Sequence, residues 1–272
     1  MRGASRASLS AAKERLATAL AGGSSAEASR VGDELFAVLG LVDREPGLRR
    51  SLSDSSLDSS ARIGLAQALF TGKISATTLE LVTALAGSRW SEAGDLTDAI
   101  EELAVLAIAE AADGLGLLDE LEDELFRFAR IVQGNPGLRA ALSNQFVPPE
   151  ARASLVRALV SGKVSEPGLR LITQAAAYPR GRSLDVGLEH YAHLAADLRE
   201  RLVVEVHVAV PLGEEQRGRL AAALVSGYGH DVHLNIVLDP ELIGGITVRI
   251  GDELINGSVA SRLAELRRHL AA

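Results

Sequence analysis

Displaced by 90 residues, this chain lies on itself without a gap. Asp33-Glu34-Leu35-Phe36 returns as Asp123-Glu124-Leu125-Phe126, Pro46-Gly47-Leu48-Arg49 as Pro136-Gly137-Leu138-Arg139, and Gly72-Lys73 as Gly162-Lys163. Between Asp33 to Ala86 and Asp123 to Ala176, 23 of 54 positions are identical, too many for shared helical composition alone. The pattern implies a duplicated domain, so any core proposed for one copy must also be buildable from the other.

Each copy reads as a run of helices. Pro46 and Pro136 stand where a helix starts after a turn, as do Pro148 and Pro149 before Glu150 to Val160. Gly72 and Gly162 follow alanine- and leucine-rich stretches and suit C-terminal caps. Leu65, Leu69, Leu79 and Val82 recur as Leu155, Leu159, Leu169 and Ile172, an expected core pattern. Asp95 to Ala112 carries Leu96, Ile100, Leu103 and Leu106 on one stripe. By position this helix closes the first copy; by the 90-residue offset it matches Ser5 to Gly22 and also opens the second. A further helix spans about Ser183 to Arg201. The abundance of alanine and leucine, with only 3% aromatic residues, favours helix-on-helix packing through small side chains.

Beyond this point the period changes from 3.6 to 2. Val204, Val206, Val208 and Val210 alternate with other residues in a strand, a helix follows from Gly213 to about Ser226, and Val232 to Leu238 forms the next strand. Ile246, Val248 and Ile250 line one face of a third strand, Gly251 and Asp252 suit a tight hairpin, and Glu253 to Asn256 return as a fourth. Ser258 can cap a closing helix with Val259, Leu263, Leu266 and Leu270 on one face. The expected fold is mainly α: two related helical-bundle repeats followed by a small α/β C-terminal domain. Its divisions are 1–112, 113–200, with helix 95–112 open to sharing, and 201–272.

The segment Gly244 to Leu263 resembles the C-terminal end of the delta subunit of F-type ATP synthases, the bacterial counterpart of the mitochondrial oligomycin-sensitivity-conferring protein. Gly244, Gly245, Ile246, Val248, Arg249, Gly251, Asp252, Ile255, Gly257, Ser258, Arg262 and Leu263 carry the match, and Asn256 stands where many relatives have Asp. Upstream, LRERLVVEVHVAVPLGEEQ and HLNIVLDPELIGG follow the family's order.

The resemblance implies a non-catalytic stator, without cofactor or metal. Its helical part would sit on the catalytic alpha/beta head, its α/β end on the b-type peripheral stalk, at the cytoplasmic face of the membrane in a proton-translocating enzyme. It also implies that the first and fifth helices of a bundle form a groove for the N-terminal helix of an alpha subunit. Leu16, Leu79 and Val82 are the candidates in the first copy, and Leu103, Leu169 and Ile172 in the second. The second copy, contiguous with the α/β end, is the better equivalent of an ordinary relative's single bundle. Two rivals are a generic helical-repeat adaptor and an enzyme with a pocket between the copies.

The remaining signals have plainer readings. A formal charge of −8 argues against a nucleic-acid binder, and the lack of cysteine excludes disulfides and thiolate chemistry. Lys13, Glu14 and Arg15 interrupt any signal-peptide core, and no run of about 18 apolar residues occurs, so membrane association must go through partners. Both Gly-Lys pairs lack the earlier glycine and following Ser or Thr of a phosphate loop. Gly227 and Gly229 read as loop residues. His190 with His193, and His230 with His233, have no third metal ligand in pattern. The acidic run Asp119, Glu120, Glu122, Asp123, Glu124 reads as a solvated helix start, and Trp90 as local core.

Overall fold

A computed structural model describes residues 1, 3–144, 146–199, 202–210, 212–213, 216, 218–220, 223, 232–239, 242, 245–250 and 253–256. The chain divides into two compact units, Met1–Arg199 and Glu200–Ala272.

The first unit is built from α1 (Gly3–Leu20), α2 (Ser25–Arg44), α3 (Pro46–Ser53), α4 (Ser59–Phe70), α5 (Ala76–Gly87), α6 (Ala93–Asp113), α7 (Leu118–Gly134), α8 (Pro136–Ser143), α9 (Pro149–Val160), α10 (Glu166–Ala177) and α11 (Leu184–Arg199). The 90-residue offset places α3 on α8, α4 on α9 and α5 on α10 with the same bounds, and α1 on α6 at its start. Local chemistry sets these limits. Pro46 and Pro136 occupy the first turns of α3 and α8, where a missing N–H costs nothing. Gly72 and Gly162 follow the ends of α4 and α9 at φ of 75° and 71°, a conformation that glycine adopts without strain.

Packing repeats as well. α2 lies along α6 as α7 lies along α11, and α4 on α5 as α9 on α10. α6 belongs to both arrangements, touching α1, α2, α3 and α5 on one side and α7, α10 and α11 on the other. Its burial extends well beyond the expected stripe: Leu96, Ile100, Leu103 and Leu106 are buried, and so are Ala99, Ala104, Val105 and Ile108. A helix apolar all round needs neighbours all round. The two repeats therefore share one continuous core rather than forming two bodies. Gly32 permits α2 to lie close on α6, since a Cβ there would stand 2.6 Å from Cδ1 of Ile108.

One expected part of the core is different. Leu65 and Leu69 are only partly buried, and Leu155 and Leu159 are exposed at 37% and 38%. The inward face of α4 carries Arg62, Ala66 and Phe70, and that of α9 carries Arg152, Val156 and Val160. A leucine repeat at i, i+4 satisfies two adjacent faces of a helix, and the guanidinium described below selects which one turns inward. Trp90 is buried as expected, its Nε1 donating to the Leu85 carbonyl at 2.9 Å.

In the second unit β1 (Leu202–Val208), β2 (Val232–Leu238), β3 (Ile246–Ile250) and β4 (Glu253–Asn256) form a sheet in the order β2-β1-β3-β4. β1 pairs parallel with β2, whereas β3 runs antiparallel to both β1 and β4. The β3–β4 register, Ile250 opposite Glu253, is that of the expected hairpin. Val206, Val208 and Val248 form its core, with Ile236 and Ile246 against them. Val210 falls beyond the end of β1 and is exposed. A parallel pair needs a crossover, and Gln216, Gly218, Arg219, Leu220 and Ala223 are helical within it. The Gly213 N–H donates to Oε1 of Gln216 at 2.9 Å, the reach-back contact of a capping box. The rest of that helix, the Gly251-Asp252 turn, Gly227, Gly229, His230 and the closing helix lie outside the described residues.

Candidate partner-binding surface

The fifth helix of each repeat is clamped at both ends by buried or partly buried charge. At the N-terminus of α5, Glu34 on α2 accepts from the Ser75 N–H at 2.9 Å, the Ser75 hydroxyl at 2.6 Å and the Thr78 hydroxyl at 2.5 Å. Burial would raise the Glu34 carboxyl, but these donors and the Arg30 charge hold it below its ordinary value. At the N-terminus of α10, Glu124 on α7 accepts from the Ser165 N–H at 2.6 Å and the Ser165 hydroxyl at 2.7 Å.

At the other end Arg62 donates to the carbonyls of Ala86 at 2.7 Å and Ser88 at 2.5 Å, and Arg152 to that of Ala177 at 2.7 Å. Carboxylate at the start and guanidinium at the end complement the helix dipole and satisfy groups that the helix itself leaves unpaired. Glu124 therefore departs from its acidic run: Asp119, Glu120 and Asp123 are exposed, whereas Glu124 is buried and bonded. Sequence reading did not single out these clamps. Identity of Glu34 with Glu124, Arg62 with Arg152 and Ser75 with Ser165 at the same offset was the available signal.

A cleft of about 540 Å³ separates α2 from α10, with Phe36, Ala37 and Gly40 on one wall and Leu169, Thr173 and Gln174 on the other. Three of its charges meet: Arg170 bonds Asp33, and its Nε stands 3.3 Å from Glu166. The loop after α10 closes one end. Arg180, 11% exposed, sends Nε to Asp43 of α2 at 2.8 Å, Nη1 to Glu101 of α6 at 2.5 Å, and Nη2 to Asp98 at 3.0 Å and Thr97 Oγ1 at 2.7 Å. Glu101 also takes Arg182 and the Tyr191 hydroxyl, the latter at 2.8 Å. Burial opposes the Arg180 charge, but the three carboxylates outweigh it and raise its pKa.

The six residues expected to line a groove separate into two groups. Leu16, Val82, Leu103 and Ile172 are buried in the core, where they hold the bundle together. Leu79 and Leu169 pack against that core with part of their surface accessible. Leu169 lines the α2–α10 cleft. A second cleft, of about 400 Å³, is lined by Arg15 of α1, Ile63 of α4, and Glu80, Thr83, Ala84 and Gly87 of α5.

His190 is partly buried, which together with the Arg182 charge depresses its pKa, and His193 stands edge-on to Phe126 with ring centroids 6.0 Å apart. Among the described residues no group of three or more His, Asp or Glu forms a metal cluster, and no helix is long and apolar enough to cross a membrane.

The described residues form a helical unit and a small mixed sheet, with the buried charges of the helical unit placed at helix ends and between helices. The family described as ATP synthase delta (OSCP) subunit matches residues 103–270. The chain is 48% identical to ATP synthase subunit delta of Streptomyces avermitilis over 99% of its length and 98% of that protein. It is 45% identical to the Thermobifida fusca protein of the same name, over all of both chains. A chain of the Toxoplasma gondii mitochondrial ATP synthase hexamer aligns with 62% of this chain and 95% of its own at 17% identity, with a TM-score of 0.27, too low to support a shared fold. The chain belongs to the ATP synthase delta (OSCP) family, whose members are structural rather than catalytic subunits.

Proposed function

We propose that this protein is the stator element linking the catalytic alpha/beta head of a proton-translocating ATP synthase to its b-type peripheral stalk. The helical unit holds the head through an alpha-subunit N-terminal helix, the sheet unit holds the stalk, and the assembly lies on the cytoplasmic face of the membrane. Its work is mechanical: it keeps the head from turning with the rotor, so its strongest interface needs slow dissociation under load.

The carrying observation is family membership over residues 103–270, together with full-length relatives named ATP synthase subunit delta. The matched region begins within α6 and so takes in the second repeat and the sheet unit. This supports reading residues 1–112 as an added copy, 113–200 as the family's usual bundle, and 201–272 as the stalk-binding part, with α6 serving both copies. Leu79 and Leu169 are the contact candidates with accessible surface; Leu16, Val82, Leu103 and Ile172 support the helices behind them.

Isolation of the tagged chain from gently solubilised membranes tests the reading. One chain per alpha/beta head, with b-type stalk subunits, is expected; recovery free of both, under conditions that keep the enzyme intact, would sink it.

A further inference from the structure

The open cleft between α2 and α10 has a lining that the duplication did not supply. On its second-repeat wall Arg157, Glu166, Arg170, Gln174 and Tyr178 stand where the first repeat has Gln67, Ala76, Glu80, Ala84 and Ser88. Leu169 and Thr173 alone on that wall keep the residues of the first repeat, Leu79 and Thr83. On the α2 wall Gly40 and Arg44 stand where α7 has Arg130 and Gly134. Open space lies where a Cβ of Gly40 would be, so glycine keeps the cleft wide at a position where the other copy carries an arginine.

The charges of this lining do not balance. Arg170 takes both carboxylates, Asp33 and Glu166. Arg44 and Arg157 are left, both exposed and neither with a hydrogen bond or ion pair among the described residues. Each lies in the last turn of its helix, where the dipole favours a cation. That accounts for a charge at each position, but not for two unpaired guanidiniums from separate helices lining one cavity. Thr173 adds a buried hydroxyl with no hydrogen-bond partner, a group that folded proteins seldom leave unsatisfied.

Size and chemistry then restrict the ligand. A cavity of about 540 Å³ is of small-molecule size, and Phe36, Ala37 and Leu169 give it an apolar patch beside its polar groups. Two guanidinium forks on different helices suit a dianion rich in acceptor oxygens. A phosphate monoester carries about −1.5 to −2 charges at pH 7 and three free oxygens, whereas a single carboxylate would leave one arginine uncompensated.

We propose that the α2–α10 cleft binds a phosphate-bearing small molecule, its phosphoryl group held by Arg44 and Arg157 and its uncharged body lying against Phe36, Gly40 and Leu169. Arg44 belongs to the first repeat and Arg157 to the second, so occupancy adds a tie between the two and stabilises the helical unit. The site stands independently of the stator reading.

Isothermal titration of the full-length chain with naphthyl phosphate tests this, with inorganic phosphate and naphthol as the two halves of the probe. Saturable one-to-one binding of naphthyl phosphate is expected, at least about tenfold tighter than either half and at least about tenfold weaker in Arg44→Gln and in Arg157→Gln. Gly40→Glu, which puts bulk and negative charge into the cleft, should abolish binding. Arg130→Gln, which removes an equally exposed and unbonded arginine outside the cleft, should bind as the parent does. Circular dichroism checks that each variant folds; the two cleft arginines support no other group, so at least one of their variants is available to decide. Absence of saturable binding at millimolar probe, parental binding by the folded arginine variants, or an equal loss in Arg130→Gln overturns the site. Naphthol binding as tightly as its phosphate overturns the phosphate assignment.

Discussion

Replacing Arg180 by alanine should loosen the tie between the two repeats more than any other single surface-loop change. Arg180 lies between α10 and α11 and reaches Asp43 on α2, Asp98 on α6 and the buried Glu101 on α6. Removing one partner of a buried ion pair costs about 3–5 kcal/mol, because the other charge is left without compensation. Here Glu101 keeps Arg182 and the Tyr191 hydroxyl, and Asp98 can rehydrate because its side chain is half-exposed, so the lower end, about 3 kcal/mol, is expected.

For a unit of this size each kcal/mol moves the midpoint by about 2–4 °C, giving a loss of about 6–12 °C. The assay is scanning calorimetry of the full-length chain, following the transition of the helical unit. Backbone geometry supplies an internal control. Arg180 has a φ of 50°, which costs a non-glycine residue about 1 kcal/mol or more. Arg180→Gly loses the same ion pairs but relieves that strain, so it should be about 1 kcal/mol less harmful than Arg180→Ala. A midpoint shift below about 2 °C for Arg180→Ala would refute the ion-pair contribution, and alanine and glycine variants of equal stability would refute the strain contribution.

Three further outcomes follow from the packing. Gly168→Ala would bring a Cβ to 2.0 Å from Oε2 of Glu124, forcing the carboxylate off the start of α10; a cost of about 1–3 kcal/mol is expected in urea unfolding, against little change for Gly137→Ala, whose Cβ would meet Asn135 Oδ1 at an ordinary 3.5 Å. Gly32→Ala should destabilise by about 1–3 kcal/mol through overpacking against Ile108, whereas Gly40→Ala, in the same helix with open space at its Cβ, should stabilise by about 0.5–1 kcal/mol. If both changes have the same sign in thermal unfolding, the α2–α6 contact is misassigned. Burial first, then the Glu101 charge and hydrogen bond, push the Tyr191 phenol well above its usual value. The folded state then keeps its proton above about pH 10, where the unfolded chain loses it, so stability falls as pH rises through that region. Tyr191→Phe should lack this contribution; an unchanged alkaline slope would remove Tyr191 as its source.

Periodicity and punctuation made much of the fold legible. Prolines at helix starts, glycines after helix ends and the switch from helical to alternating patterning locate elements through properties of the local chain. The family was legible for the same reason, through an ordered series of residues from Gly244 onward. Legibility ended where one sequence pattern fits several faces. Leu155 and Leu159 look like core by spacing, yet Arg152 turns inward beside them because the carbonyl groups ending α10 require a donor. The candidate groove suffered likewise: Leu16, Val82, Leu103 and Ile172 are apolar whether they face a partner or the bundle, and only neighbouring helices decide.

What the sequence by itself determined was the repeat, the class of each described element, the β3–β4 hairpin and membership of a structural family, because these rest on short-range rules or on residue identity. Tertiary structure alone decided that Glu34 and Glu124 clamp α5 and α10, that α2 packs along α6, and that Arg170 reaches Asp33 across the cleft between α10 and α2. Each of these depends on contacts between residues about 40 to 140 positions apart, and no local pattern encodes which of two similar surfaces a distant helix will occupy.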